Sequence, residues 1–306
     1  MQENNERRNP FLLAPAVTLA VLIVFGVLSF IPFGKGIVAY IVAVGSALIV
    51  FGGLTFATFR LRGGKWWNAC TQSRARGGWA IALSAAGVMM VQSAMIRSFL
   101  IGDAYHYRTY SFYGITLDVH TDSFGIFLLI FVMLAVLPAV WEGLLFRGFL
   151  MHEYRYGGVL VSAVLSSLLY AMTGLSFSEF PIHFLNGILL CAVVFLTGNI
   201  AFSILAHSLY GLFALSLEKY FMFIAAETPT LSFLVLAAVG LFCVMCLCGS
   251  AEKILRARGE GEDRMPIRLK KGKLPIILWD IFSAPMIWVD IVCFVLIGVL
   301  HIFLDV

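Results

Sequence analysis

Charge is what this chain of 306 residues has least of: Asp, Glu, Lys and Arg make up 12% of it, against 61% hydrophobic residues. A mean hydropathy of +0.95 excludes an ordinary soluble globular domain. The net charge is only +4, so no basic face for nucleic acid is expected. Cysteine is sparse too. The six cysteines stand singly or inside apolar runs, which excludes a disulfide framework and marks them as small buried hydrophobes. Cys243 and Cys246 form a CxxC, but within an apolar run and without a second pair, so they read as packing groups. No repeat of 20 to 50 residues recurs, which excludes a solenoid or propeller. The opening MQENNERRNP is too polar for the core of a signal peptide, and no cleavage is expected.

What remains is long apolar runs. A crossing helix needs about 20 mostly apolar residues. Such runs cover 11–33, 36–59, 78–102, 123–150, 157–175, 181–197, 199–216, 229–248 and 286–304. The expected fold is an all-α polytopic membrane bundle of about eight to nine transmembrane helices. With the N-terminus in the cytoplasm, seventeen Lys and Arg fall on the inner side, three (Lys35, Arg108 and Lys219) on the outer, and Arg97 within a span. That bias sets the orientation, and it suits a multi-pass protein of the cell membrane. The segment 275–290, interrupted by Asp280 and Pro285, reads as an interfacial helix anchored by Trp279 and Trp288. Three regions follow: three N-terminal helices over 1–115, a core over 116–216, and C-terminal helices with a basic cytoplasmic loop over 217–306.

Against that background WEGLLFRG (141–148) stands out. Glu142 lies eight residues before the inner end of the fourth span, about 12 Å deep at 1.5 Å per residue. His207 lies eight residues into the seventh span from the same side. Equal depth makes a shared site for Glu142 and His207 geometrically open, and an ionisable residue inside the membrane is a functional candidate. Either could instead sit at the wet inner rim, paired with a loop residue. Arg147 follows Glu142 by five residues, about 140° round an α-helix. On that geometry the two do not face each other, and Arg147 reads as a structural anchor snorkelling to the inner leaflet.

The stretches Glu142-Gly143-Leu-Leu-Phe-Arg147-Gly148 and LTGNIAFSILAHSLYG (196–211) resemble the motifs of the CPBP family, the CAAX-protease and bacteriocin-processing intramembrane proteases. Pro138, Glu142, Phe146, Arg147 and Gly148 match the first motif; Thr197, Gly198, Ile200, Leu205, Ala206 and His207 match the third. The likeness covers about 123–215 and makes the core expected over 116–216 CAAX-protease-like. It implies attack of water on a peptide bond in a membrane-buried, cytoplasm-facing chamber, with Glu142 as base and His207 as oxyanion donor or metal ligand. Zinc, if one is bound, falls to Glu142 and His207. Three positions depart from the family: its second glutamate is Gly143, its second-motif histidine is Gly174 (in Tyr170-Ala-Met-Thr-Gly174), and its third-motif asparagine is Gly211. His183, at the expected outer end of the sixth span, is roughly a membrane thickness from Glu142 on this topology, and His152 follows the fourth helix in the inner loop. His106, His120 and His301 belong to the outer side. None of these five substitutes well for the histidine missing at Gly174.

The expected function is therefore that of a CAAX-endopeptidase-like protein with weak or absent hydrolysis and a cavity for a membrane-embedded or lipidated peptide. A non-catalytic, immunity-type pseudoprotease that binds without cutting is the alternative. A proton-coupled transporter ranks last, because inverted repeats and paired broken helices are not visible. The basic loop 249–274 suits anionic inner-leaflet lipid. The aromatic loop 103–122 reads as a cap or interfacial belt without ligand spacing.

Overall fold

The structure is a computed structural model, and it describes residues 10–32, 37–62, 77–100, 109–118, 123–257 and 273–304. Each expected apolar run is a helix: α1 (Pro10–Ser29), α2 (Ile37–Arg62), α3 (Gly78–Leu100), α4 (Phe124–Glu153), α5 (Gly158–Met172), α6 (Phe180–Thr197), α7 (Ile200–Ser216), α9 (Pro229–Ala257) and α11 (Pro285–Leu304). Two short helices were not expected in this form, α8 (Glu218–Glu227) and α10 (Lys273–Phe282). Among the described residues seven helices are long and apolar enough to cross a membrane, while α5 and α7 are shorter apolar helices. The protein is thus an integral, multi-pass helical membrane protein. α5 has 15 residues, about 22 Å of rise against a hydrocarbon core of about 30 Å. Its end therefore stops inside the bundle.

Local chemistry sets the breaks. Gly198 ends α6 in the left-handed region (φ 65°), where a glycine avoids the Cβ clash. Asn199 then caps α7, its side chain accepting from the Ala201 N–H at 2.9 Å. The expected interfacial helix over 275–290 is corrected: α10 ends at Phe282 and Pro285 opens α11, so Trp288 belongs to the final helix. Proline suits a helix's first turn, where its missing N–H is no loss. Trp288 instead donates its indole N–H to the Phe282 carbonyl at 2.8 Å, fixing the corner, while Trp279 on α10 stays exposed.

α3 packs against α6, α7 and α9; α5 lies along α6; α1 lies along α11. Cys243 of α9 fits against Gly87 of α3, a packing role for one half of the CxxC. Arg97, unassigned from sequence, is held between Glu179 and Glu218. Its Nε donates to Glu179 Oε1 at 3.0 Å, its Nη2 to Oε2 at 2.7 Å, and it also pairs with Glu218. Asp290 of α11 is wholly buried, and neither of its carboxylate oxygens has a hydrogen-bond partner among the described residues.

Within the aromatic loop the described stretch is a hairpin, β1 (Thr109–Phe112) and β2 (Ile115–Asp118), antiparallel with Phe112 opposite Ile115. His106 and His120, and the rest of that loop, lie outside the described residues, as does most of the basic loop (258–272). The hairpin is a cap, but an inserted one. Leu117 is wholly buried, and the Tyr113 ring lies 4.5 Å from that of Phe25 (α1) and 5.2 Å from that of Phe51 (α2).

Candidate active site

Helix α4 is not uniform. Residues Val132–Val136 and Gly143–Leu150 have π-helical hydrogen bonding, the i→i+5 pattern that widens the turn. Widening overturns the snorkelling reading of Arg147. In a π turn residues five apart come to one face, and Arg147 Nη1 stands 3.8 Å from Glu142 Oε2. Arg147 is 1% exposed, so it anchors the site and not the leaflet. Its guanidinium lies over the Tyr170 ring of α5, 4.0 Å from the centroid, a stacked geometry that favours arginine. Ser166, one turn earlier on α5, donates to the Phe146 carbonyl at 2.6 Å and ties the π segment to that helix.

Glu142 is 5% exposed. Its Oε1 accepts a hydrogen bond from the Tyr113 hydroxyl at the hairpin tip. Its Oε2 faces Arg147 and also His207 of α7, whose Nδ1 is 3.7 Å away. Among the described residues neither Oε2 nor Nδ1 makes a hydrogen bond, and their separation is one that a single water bridges. The two groups matched by depth in the sequence therefore meet.

His183 is not where the sequence reading put it. Its ring stands edge-on to Tyr170 at 5.7 Å between centroids, and His207 does the same at 6.2 Å. A Cβ on Gly174 would lie 2.7 Å from His183 Cδ2 and 3.0 Å from Nε2. The imidazole of α6 thus occupies the space that a side chain at 174 would need. The expectation of a membrane thickness between His183 and Glu142 assumed that α5 and α6 cross fully. The short α5 instead brings the turn after it down beside Tyr170. His152, at the end of α4, stays ten residues beyond Glu142, next to Glu153, which pairs with Arg62. His301 accordingly sits with Ser29 and Leu175, with Nε2 2.8 Å from Ser29 Oγ.

The other departures are closed by packing. A Cβ on Gly211 would lie 2.5 Å from Ala135 Cβ and 3.2 Å from its Cα; one on Gly143 would lie 2.9 Å from Ile204 Cγ1. Glycine at these two positions lets α7 approach α4 closely; a side chain at 211 would meet the Ala135 backbone and Cβ and force the helices apart, whereas one at 143 would displace the Ile204 side chain.

Zinc does not fit this donor set. A catalytic zinc takes three protein ligands, and among the described residues no group of three His, Cys, Asp or Glu side chains is placed to hold one. Where a third ligand would approach Glu142 Oε2, the Arg147 cation already stands.

Sequence reasoning missed Tyr113, His183 and the orientation of Arg147. For Tyr113 the hint was weak: SFYGIT puts one glycine between residues suited to strands, but Tyr-Gly is not among the pairs that mark a two-residue hairpin.

Residues 124–213 match the family described as Type II CAAX prenyl endopeptidase Rce1-like. No curated protein and no solved structure matches the chain. The matched stretch runs from the start of α4 to late α7 and contains Glu142, Arg147, Tyr170, His183 and His207, whereas Tyr113 lies before it. Over residues 124–213 the chain carries a membrane domain of the CAAX-protease (CPBP) family.

Proposed function

We propose that this protein binds a membrane-embedded or lipidated peptide at the Glu142, His207 and Arg147 site and hydrolyses it weakly or not at all. One observation carries the reading: Gly211 is pressed against Ala135, so no amide donor reaches the site from the position where the family places one. Loss of an oxyanion donor costs about 10²- to 10³-fold in rate. Loss of general acid-base help costs about 10²- to 10⁴-fold more, and here one oxygen of Glu142 is already engaged by Tyr113. Binding needs less. An arginine stacked on tyrosine, a carboxylate and an imidazole in one buried cluster offer donors and acceptors to a peptide backbone or terminus. The positive-inside bias supports an inner-leaflet position for the basic stretch 249–274, resting on anionic lipid. The expected cytoplasm-facing access to the site is not supported, because the hairpin that meets Glu142 comes from the loop on the other side.

A slow peptidase is the second reading, favoured by the 3.7 Å spacing of Glu142 Oε2 and His207 Nδ1. Glu142 would take the proton of a water between them while His207 polarises the carbonyl. The test uses the full chain in proteoliposomes with a prenylated peptide carrying a photo-crosslinker. Wild type and Glu142→Gln are expected to release product at the same rate, near that of empty liposomes, while wild type captures the peptide. Hydrolysis that disappears in Glu142→Gln would overturn the non-cleaving reading, and absence of capture would overturn the binding role.

A further inference from the structure

The hairpin turn contains a conformational anomaly that points at the site. Phe112 pairs with Ile115, leaving Tyr113 and Gly114 as the two turn residues, with φ of 49° and 77°. Positive φ at both positions is the signature of a type I′ turn, for which asparagine, aspartate and glycine are the suited first residues. A bulky side chain in the left-handed region is a genuine outlier, and such outliers cluster where strain serves a site. Here the strained residue is the one whose hydroxyl reaches Glu142. The turn is also fixed from its other side. Gly114 sits so close to α1 and α11 that a Cβ would lie 2.8 Å from Ser29 Cβ and 3.3 Å from His301 Cε1. The ring is clasped between Phe25 and Phe51. Backbone geometry, aromatic packing and the hydrogen bond thus agree in aiming one phenol at one carboxylate.

We infer that Tyr113 is an internal ligand of the Glu142 site. Its O–H occupies on Oε1 the place of a donor from an incoming peptide, so a peptide engages Glu142 only by displacing the hairpin tip. This deepens the binding role proposed above and rests on that reading for Glu142 as the group that receives the peptide. Tyr113 acts as a positioning and competing residue; it takes no part in bond making.

The test needs no peptide, so its outcome is separate from that of the hydrolysis and capture experiment. Full-length protein in liposomes is treated with the apolar reagent dicyclohexylcarbodiimide, and modification of Glu142 and Asp290 is followed by mass spectrometry. Asp290, buried without a hydrogen-bond partner among the described residues, is the internal reference. Tyr113→Asn keeps a residue suited to the turn and removes the phenol, and Glu142 modification is expected to rise about tenfold, the factor a hydrogen bond to a charged group carries. Tyr113→Phe removes only the hydroxyl, keeps the aromatic packing, and is expected to give a smaller rise of the same sign. Asp290 is expected to react at one rate throughout. Equal Glu142 reactivity in wild type and both variants, or a parallel rise at Asp290, would overturn the inference.

Discussion

Two buried ionic clusters sit in this bundle and are built on opposite rules. At Arg97, one guanidinium is held by two carboxylates, Glu179 and Glu218, with direct contacts to each. At Arg147, the guanidinium and the nearest carboxylate oxygen are 3.8 Å apart, an imidazole is 3.7 Å from that same oxygen, and a tyrosine comes from a separate hairpin. The first cluster pairs its guanidinium directly with both carboxylates and so fixes α3, α6 and α8 against one another. The second leaves polar atoms facing one another within a buried interior, an arrangement that favours a further polar group. Direct against loose pairing thus separates a structural ion cluster from a candidate site.

The comparison can be broken most forcefully at Arg97. Arg97→Ala leaves two carboxylates with no cation, and the expected loss is about 3–5 kcal/mol, read as a large fall in thermal midpoint of the solubilised protein. Glu142→Gln also leaves a buried cation, Arg147, without its carboxylate, but that pair is looser at 3.8 Å and the guanidinium keeps its stack on Tyr170, so the expected loss is smaller than at Arg97. A loss at Glu142 as large as at Arg97 would erase the distinction. Next in size is Gly211→Asn. The added side chain meets Ala135, so the variant is expected to lose about 1–3 kcal/mol and to gain no hydrolysis in the peptide assay. Recovery of cleavage there would show that only the missing amide holds the site back.

The smallest expected effect is a pH dependence at the paired cluster. Burial alone would raise the Glu179 carboxyl, but Arg97 beside it outweighs that and holds it below the ordinary carboxylate value. A folded-state value below the unfolded one contributes stability that is fully present above the unfolded value and is lost as pH falls through the folded one. Thermal midpoints of wild type should therefore fall further than those of Glu179→Gln as pH is lowered through and below the ordinary carboxylate range. Parallel curves would mean that Glu179 is not coupled to folding.

The sequence made the helices legible because hydrocarbon imposes a length, and the nine runs needed only end corrections of a few residues, apart from α9, which continues to Ala257. The meeting of Glu142 and His207 was legible for the same reason: depth can be counted. Arg147 was not, because counting by 100° per residue assumes an α-helix, and the π segment Gly143–Leu150 turns it onto the opposite face. His183 was missed because a full crossing was assumed for α5, which has 15 residues. Tyr113 was missed because a loop outside the long apolar runs gives no depth signal, and its one glycine hinted only weakly at a hairpin. The three glycines at 143, 174 and 211 read as simple losses in sequence. In the fold each is a close contact, with Ile204, His183 and Ala135 in turn.

Whether groups from α4 and α7 share one buried site is read most directly from paired cysteines in a chain freed of its native six. Glu142→Cys with His207→Cys is predicted to cross-link rapidly with a short thiol bridge in native membranes, as readily as Arg62→Cys with Glu153→Cys. Efficient cross-linking of the control pair with none between 142 and 207 would contradict the account.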